Sequence, residues 1–165
     1  MFDFGKASKR QLSGGILMSE LKSAWITRSS SSQKPWGEET SWAASASPGV
    51  KTLTLEAGKR NSFKYNPQKD EMLICGSGKV KVYFGCEEII TKSRGDLETG
   101  ILEPGSALIV QSGCPYRLEA VDDSIILEVS SARTSTPVRL HDDYNRKIRK
   151  VSDHVDRIIE KWFPN

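Results

Sequence analysis

Between Glu38 and Ser131 hydrophobic and polar residues alternate in short runs, and each run ends in a turn signal. Alternation puts successive side chains of a strand on opposite faces, so runs of this kind bury one face and wet the other. The pattern predicts strands near 38–46, 50–56, 61–66, 71–76, 78–84, 87–92, 98–102, 106–111, 115–120 and 124–131. The separators are Ser47-Pro48-Gly49, Gly76-Ser77-Gly78, Ser93-Arg94-Gly95-Asp96, Glu103-Pro104-Gly105, Ser112-Gly113 and Asp122-Asp123. Many short strands with such turns read as an all-β barrel or sandwich. The period changes in the tail. Ile148, Val151, Val155, Ile158, Ile159 and Trp162 recur at helical spacing, which predicts an amphipathic helix from near Arg146 to Trp162.

The ends set the domain organisation. Residues 1–33 are polar and finish in the serine run Ser29 to Ser32, so they read as a leader with one segment, Leu17 to Ile26, anchored by Trp25. Residues 34–146 form the barrel, with Trp36 packed against it, and 147–165 the C-terminal helix. The acids Asp153, Asp156 and Glu160 interrupt the basic face of that helix. It therefore suits its own barrel or a second subunit better than an anionic membrane surface.

Composition narrows the function classes. A chain of 165 residues with 37% hydrophobic and 27% charged residues fits a single globular domain with a sizeable core. A net charge of +3, spread along the chain, gives no basic stripe for nucleic acid. No apolar run has the length of a membrane span, and no secretory signal opens the chain. Cys75, Cys86 and Cys114 are an odd number without paired spacing, which points to a reducing compartment and a cytoplasmic protein. The two histidines, His141 and His154, both follow the strand-rich region and read as surface residues. A metal site built from several imidazoles is therefore not available inside the barrel.

The most informative stretch runs from Gly58 through Lys64, Asn66 and Glu71 to Gly78. Alternation sends Lys64, Asn66 and, after a turn, Glu71 to one face of neighbouring strands. The spacing resembles the first cupin motif, G-x-x-x-x-x-H-x-H-x-x-x-x-E-x-x-x-x-x-x-G. Gly58, Glu71 and Gly78 match it, while Lys64 and Asn66 replace the histidines. In the second motif, G-x-x-x-x-x-P-x-G-x-x-H-x-x-x-N, Gly105 and Gly113 match, with Gln111, Tyr116 and Ala120 at the Pro, His and Asn positions. Lys34-Pro35-Trp36-Gly37, the stretch from Lys51 to Glu71, Arg117-Leu118-Glu119, and Val138 to Arg146 (with its D-D-Y-x-R) further resemble the cupin domain of type II mannose-6-phosphate isomerases.

That resemblance implies a cupin double-stranded β-helix, a jelly-roll barrel, and a ligand that is a sugar phosphate or nucleotide sugar. It also implies what is missing. The family's metal ligands fall on Lys64, Asn66, Glu71 and Tyr116, and only Glu71 keeps its identity. A protonated lysine has no lone pair to give, so we expect no metal and no other cofactor. Lys64 then puts an ammonium group where the cation would sit, with Glu71 as counter-ion. The candidate catalytic residues are Lys64, Glu71 and Tyr116, with Glu71 or Tyr116 as base and Lys64 as electrophile. The candidate ligand-binding residues are Lys51, Arg60, Asn66, Arg139 and Arg146, although Arg146 also suits a structural lock with Asp142 or Asp143. Three functions fit these residues: a sugar-phosphate-binding cupin without metal catalysis, a metal-independent sugar isomerase or epimerase, and a structural cupin that dimerises. A homodimer is expected, with neither nucleic acid nor membrane as partner.

Overall fold

A computed structural model describes residues 26–42, 48–131 and 135–164. The expectations for Trp25, for residues 1–25 and for the strand beyond Trp42 lie outside them. Two antiparallel sheets carry the fold. The first, in spatial order, holds β1 (Ser29–Lys34), β2 (Gly37–Trp42), β3 (Gly49–Leu55), β10 (Ser124–Ser130), β5 (Glu71–Ser77) and β8 (Ala107–Val110). The second holds β11 (Val138–His141), β4 (Phe63–Tyr65), β9 (Tyr116–Ala120), β6 (Val80–Phe84) and β7 (Glu98–Leu102). Helix α1 (Glu88–Thr91) joins β6 to β7, and α2 (Asp153–Trp162) ends the chain. Among the described residues no helix is long and apolar enough to cross a membrane.

Strand parity builds the core. Leu53 and Leu55 of β3, Leu73 and Cys75 of β5, Ile126 of β10 and Leu118 of β9 all point between the sheets, and Trp36 packs with them. The glycines at the motif positions are backbone requirements. Gly78 has φ +79°, and a Cβ there would meet the Asp123 carbonyl and Ser124 Oγ at 2.3 Å. Gly113 turns at φ +84° between β8 and β9. Both conformations cost a residue with a Cβ and are open to glycine.

A second apolar cluster lies on the opposite side of the five-stranded sheet. Val155 and Ile158 of α2, with Phe163 beyond it, pack on Phe63, Tyr83 and Leu140. Phe163 covers the buried Arg117, whose guanidinium carbon is 4.6 Å from the ring centroid. The C-terminal helix thus packs on its own barrel, and Phe63 belongs to this outer layer instead of plugging the interior.

Four local expectations change. The serine run is not part of a leader: Ser29 to Lys34 pair with β2, because an edge strand needs only its backbone for the ladder, and its side chains can stay wet. The strand expected over 87–92 is instead the short helix α1 (Glu88–Thr91), with Ile89 buried and Glu88 paired to Lys92 one turn on and to Arg94. The last helix starts at Asp153, not near Arg146. Ser152 caps it by accepting from the Val155 N–H, with Asp153 and Asp156 in the first turn. His141 is not a surface residue; it stacks on Phe163 with centroids 5.8 Å apart.

Candidate functional site at the polar end of the barrel

The inward positions are apolar at one end of the barrel and polar at the other. Along β3 they read Lys51, Leu53, Leu55; along β5 Glu71, Leu73, Cys75; along β10 Ser130, Glu128, Ile126. The registers set these polar ends side by side. Lys51 stands opposite Glu128, and Glu71 opposite Ser130. From the other sheet, Lys64 stands opposite Tyr116. A closed set of polar side chains results, lining one end of the space between the sheets.

Glu71 is the hub. Its Oε1 accepts from Asn66 Nδ2 at 2.8 Å and its Oε2 from the Tyr116 hydroxyl at 2.7 Å, so Tyr116 ties the two sheets together. Lys69 Nζ lies 3.6 Å from Glu71 and 3.2 Å from Glu128, bridging two carboxylates whose side chains are only 2% and 3% exposed. Lys51 pairs with Glu39 at 3.3 Å. Burial alone would push the Glu128 carboxyl up, but Lys64, Lys51 and Lys69 outweigh it and hold that group below the usual carboxylate range. Tyr116 is driven the other way. Burial, then the charges of Glu71 and Glu128, push its phenol well above its ordinary value. It therefore keeps its proton at neutral pH and serves as a donor, which removes it as a base.

Lys64 departs from the sequence expectation. The cation at Glu71 is Lys69, supplied by the turn after Asn66, while Lys64 makes no ion pair among the described residues. Its ammonium nitrogen sits 5.3 Å from the Tyr116 ring centroid, and its charge is felt at Glu128. The cause is local: Tyr116, opposite Lys64, already occupies Glu71 Oε2. One acceptor remains open. Asn66 Oδ1 is fully buried and has no hydrogen-bond partner among the described residues.

The structure gathers Lys51, Lys64, Asn66, Glu71 and Tyr116 at this end. The arginines are committed to other partners. Arg60 pairs with Asp143 at 2.6 Å. Arg139 stands opposite Lys64 in the β4–β11 ladder, but its guanidinium donates to Ser62 Oγ at 2.8 Å and the Lys147 carbonyl at 3.0 Å. Arg146 Nη2 holds Asp142 at 2.6 Å, so the D-D-Y-x-R segment acts as a latch. Asp143 also receives the buried Arg117, whose Nη1 lies 3.1 Å from His141 Nδ1. Burial, followed by the Arg117 charge, lowers His141 from its ordinary value and keeps it neutral as an acceptor.

Sequence reasoning missed Lys69, Glu128 and Glu39, and met Arg117 only as a motif residue without a role. Glu128 carried a signal, being an acid at the inward parity of the apolar run from Ser124 to Ser130. Lys69 carried none, because a turn residue has no parity to read.

The residues at the family's metal positions do not fit a transition metal. Lys64 offers no lone pair, both oxygens of Glu71 already accept hydrogen bonds, and the Tyr116 phenol holds its proton. Among the described residues no cluster of three or more His, Cys, Asp or Glu side chains could hold a metal ion.

No family model matches the chain, and neither does any curated protein sequence. Solved structures do match it in shape. KdgF from Halomonas sp. superposes with a TM-score of 0.52 at 15% identity, over 67% of this chain and 88% of that one. The capsular polysaccharide assembling protein CapF of Staphylococcus aureus gives 0.56 at 11% identity, over 72% of this chain and 33% of that one, so the chain spans about a third of CapF. A domain of CENP-C from Drosophila melanogaster gives 0.52 at 12% identity, over 64% of this chain and 77% of that one. Two antiparallel sheets closed over one core, glycines at the motif turns and these neighbours together assign the chain the cupin fold, with a C-terminal helix docked on one sheet.

Proposed function

We propose that the polar end of the barrel binds a small anionic sugar, a sugar phosphate or a nucleotide sugar, without metal-dependent turnover. One observation carries this reading: Lys64 stands there without a carboxylate of its own, beside a buried and unpaired Asn66 Oδ1. An unpaired ammonium suits a phosphate, and an orphaned amide oxygen suits a hydroxyl donor. A sugar phosphate brings both groups in one molecule. The likeness in fold to the capsular polysaccharide assembling protein CapF agrees with a sugar-related role. An isomerase or epimerase is the weaker reading, because proton abstraction needs a free base. Here Glu71 is engaged at both oxygens and Tyr116 holds its proton.

Thermal melts test it. A ligand bound only by the native state stabilises it by about 2.7 kcal/mol at a hundredfold excess over its Kd. Mannose 6-phosphate is expected to raise the melting midpoint of the wild type, and Lys64→Met to lose most of that rise. An unchanged rise in Lys64→Met, or no response to mannose 6-phosphate and a panel of hexose phosphates, overturns the proposal.

A second reading, a dimerising cupin, is favoured by the outer face of the six-stranded sheet. The registers line up Trp42, Val50, Val129, Met72 and Ile109 across five adjacent strands. Met72 is 40% and Ile109 68% exposed. Within the six strands the only ionisable side chain on that face is Glu38, near one edge. A face whose single charge stands near one edge can meet a copy of itself across its apolar middle with no charge buried there unpaired, so we assign it to a second copy of this chain.

A further inference from the structure

Cys86 follows β6, and Cys114 precedes β9. These strands pair antiparallel, with Phe84 opposite Tyr116. The Gly85 N–H then donates to the Pro115 carbonyl at 3.0 Å, one step past the last ladder pair. Continued by one more residue, this register sets Cys86 opposite Cys114. Hydrogen-bonded and non-hydrogen-bonded pairs alternate in such a ladder, so if Gly85 and Pro115 form the former, the two cysteines form the latter. Facing Cα atoms are then about 4.5 Å apart, inside the range of roughly 4.4–6.8 Å that a disulfide spans.

Two further observations agree. Burial above all pushes the Cys114 thiol up, while the Glu87 backbone acts against it and the charges of Glu87 and Cys86 act with it, so the chain after β6 lies within electrostatic reach of Cys114. A Cβ added at Gly113 would lie 3.4 Å from the Glu87 Cβ, so the turn before β9 packs on the chain that follows β6. Cys86 is exposed and Cys114 partly so, whereas Cys75 is buried in the core.

We propose that Cys86 and Cys114 are a redox pair that forms a reversible cross-strand disulfide. The oxidant is a small disulfide such as oxidised glutathione. The exposed Cys86 thiolate attacks one of its sulfurs, forming a mixed disulfide and expelling one glutathione thiolate. The Cys114 thiolate then attacks Cys86 Sγ, and the second glutathione leaves. The two cysteine thiols lose two electrons, one glutathione disulfide gains them, and the two thiol protons end on the two glutathiones. In reducing surroundings the pair stays a dithiol. The bond would also fasten the turn whose backbone holds the candidate site, since Ser112 N–H donates to Asp70 Oδ1 at 2.8 Å and Gly113 N–H to the Asn66 carbonyl at 2.7 Å.

The full chain, equilibrated with oxidised glutathione, quenched in acid, unfolded and treated with a maleimide, decides it by intact mass and peptide mapping. The expected product is lighter than the reduced protein by two hydrogens, takes one maleimide at Cys75, and yields a Cys86–Cys114 linked peptide that dithiothreitol abolishes. Its melting midpoint is expected to exceed that of the reduced protein, with the difference gone in Cys86→Ser. Three alkylated cysteines, a stable glutathione adduct at Cys86 without the link, or a link through Cys75 would each overturn the proposal.

Discussion

Lys69 holds two carboxylates that water hardly reaches, and this makes it the most demanding single residue of the barrel. Its ammonium lies between Glu71 and Glu128. Removing one partner of a buried ion pair costs on the order of 3–5 kcal/mol, because the other charge is left uncompensated. Lys69→Met is therefore expected to lower stability in urea denaturation by an amount of that order, and adding Glu128→Gln to recover part of it. Lys64→Met is expected to cost less by the same measure, since Lys64 acts on Glu128 only through space and lies within ion-pair distance of no carboxylate among the described residues. A silent Lys69→Met, or a larger loss from Lys64→Met, would contradict this division of labour. The two lysines thus separate stability from binding, a distinction their spacing in the sequence does not reveal.

At the scale of elements, the segment from β11 to α2 is fastened by Asp142. Its Oδ1 accepts from Ser62 Oγ at 2.8 Å and Arg146 Nη2 at 2.6 Å; its Oδ2 takes the backbone N–H groups of Tyr144 and Arg146, each at 3.0 Å. Burial alone would raise its pKa, but the hydrogen bonds from Arg146, Ser62 and Tyr144 hold it down to about 2, against an ordinary 3.8. A carboxylate depressed in the folded state binds its proton more readily when unfolded. Its contribution is complete above the unfolded value and is lost as pH falls through the folded one. Melting midpoints followed from pH 5 to pH 2 should fall, and Asp142→Asn should show a shallower decline below about pH 4. Parallel curves would mean that the latch does not depend on this charge. Other depressed carboxylates, such as Asp96 beside Lys161 and Trp162, titrate in the same window, so the difference between the two proteins is the informative quantity.

The whole molecule covers its two sheets differently. The five-stranded sheet receives α2 and Phe163 on its outer face, whereas the six-stranded sheet has no covering element there among the described residues. Large apolar faces left bare are sites of association. Sedimentation of the wild type is expected to report a dimer, and the double variant Met72→Glu with Ile109→Glu a folded monomer, because two carboxylates brought to one dry interface repel each other and lose water. A wild type that stays monomeric at high micromolar concentration, or an undisturbed dimer of the variant, would rule out this face as the contact.

The sequence by itself determined the class of fold, most of the strands and five of the residues that meet at the polar end of the barrel. Period-2 alternation and glycine turns are local signals, and the motif glycines mark places where the backbone needs positive φ. Lys51, Lys64, Asn66, Glu71 and Tyr116 could be gathered in advance because they sit at inward parity or at motif positions. Tertiary structure alone decided which cation meets which carboxylate, since Lys69 enters from a turn and Glu128 from a strand more than fifty residues away. It likewise turned Ser29–Lys34 into an edge strand, residues 88–91 into a helical turn and the arginines of the terminal motif into a latch. The sequence also showed three cysteines without paired spacing, while the β6–β9 register, ending at Phe84 and Tyr116 with Gly85 N–H on the Pro115 carbonyl, is what points to Cys86 and Cys114 as the proposed pair. The physical reason is common to all of these. Parity and propensity act over a few residues, whereas ion pairing, cross-strand register and the burial of Arg117 under Phe163 exist only once distant segments share one dry interior.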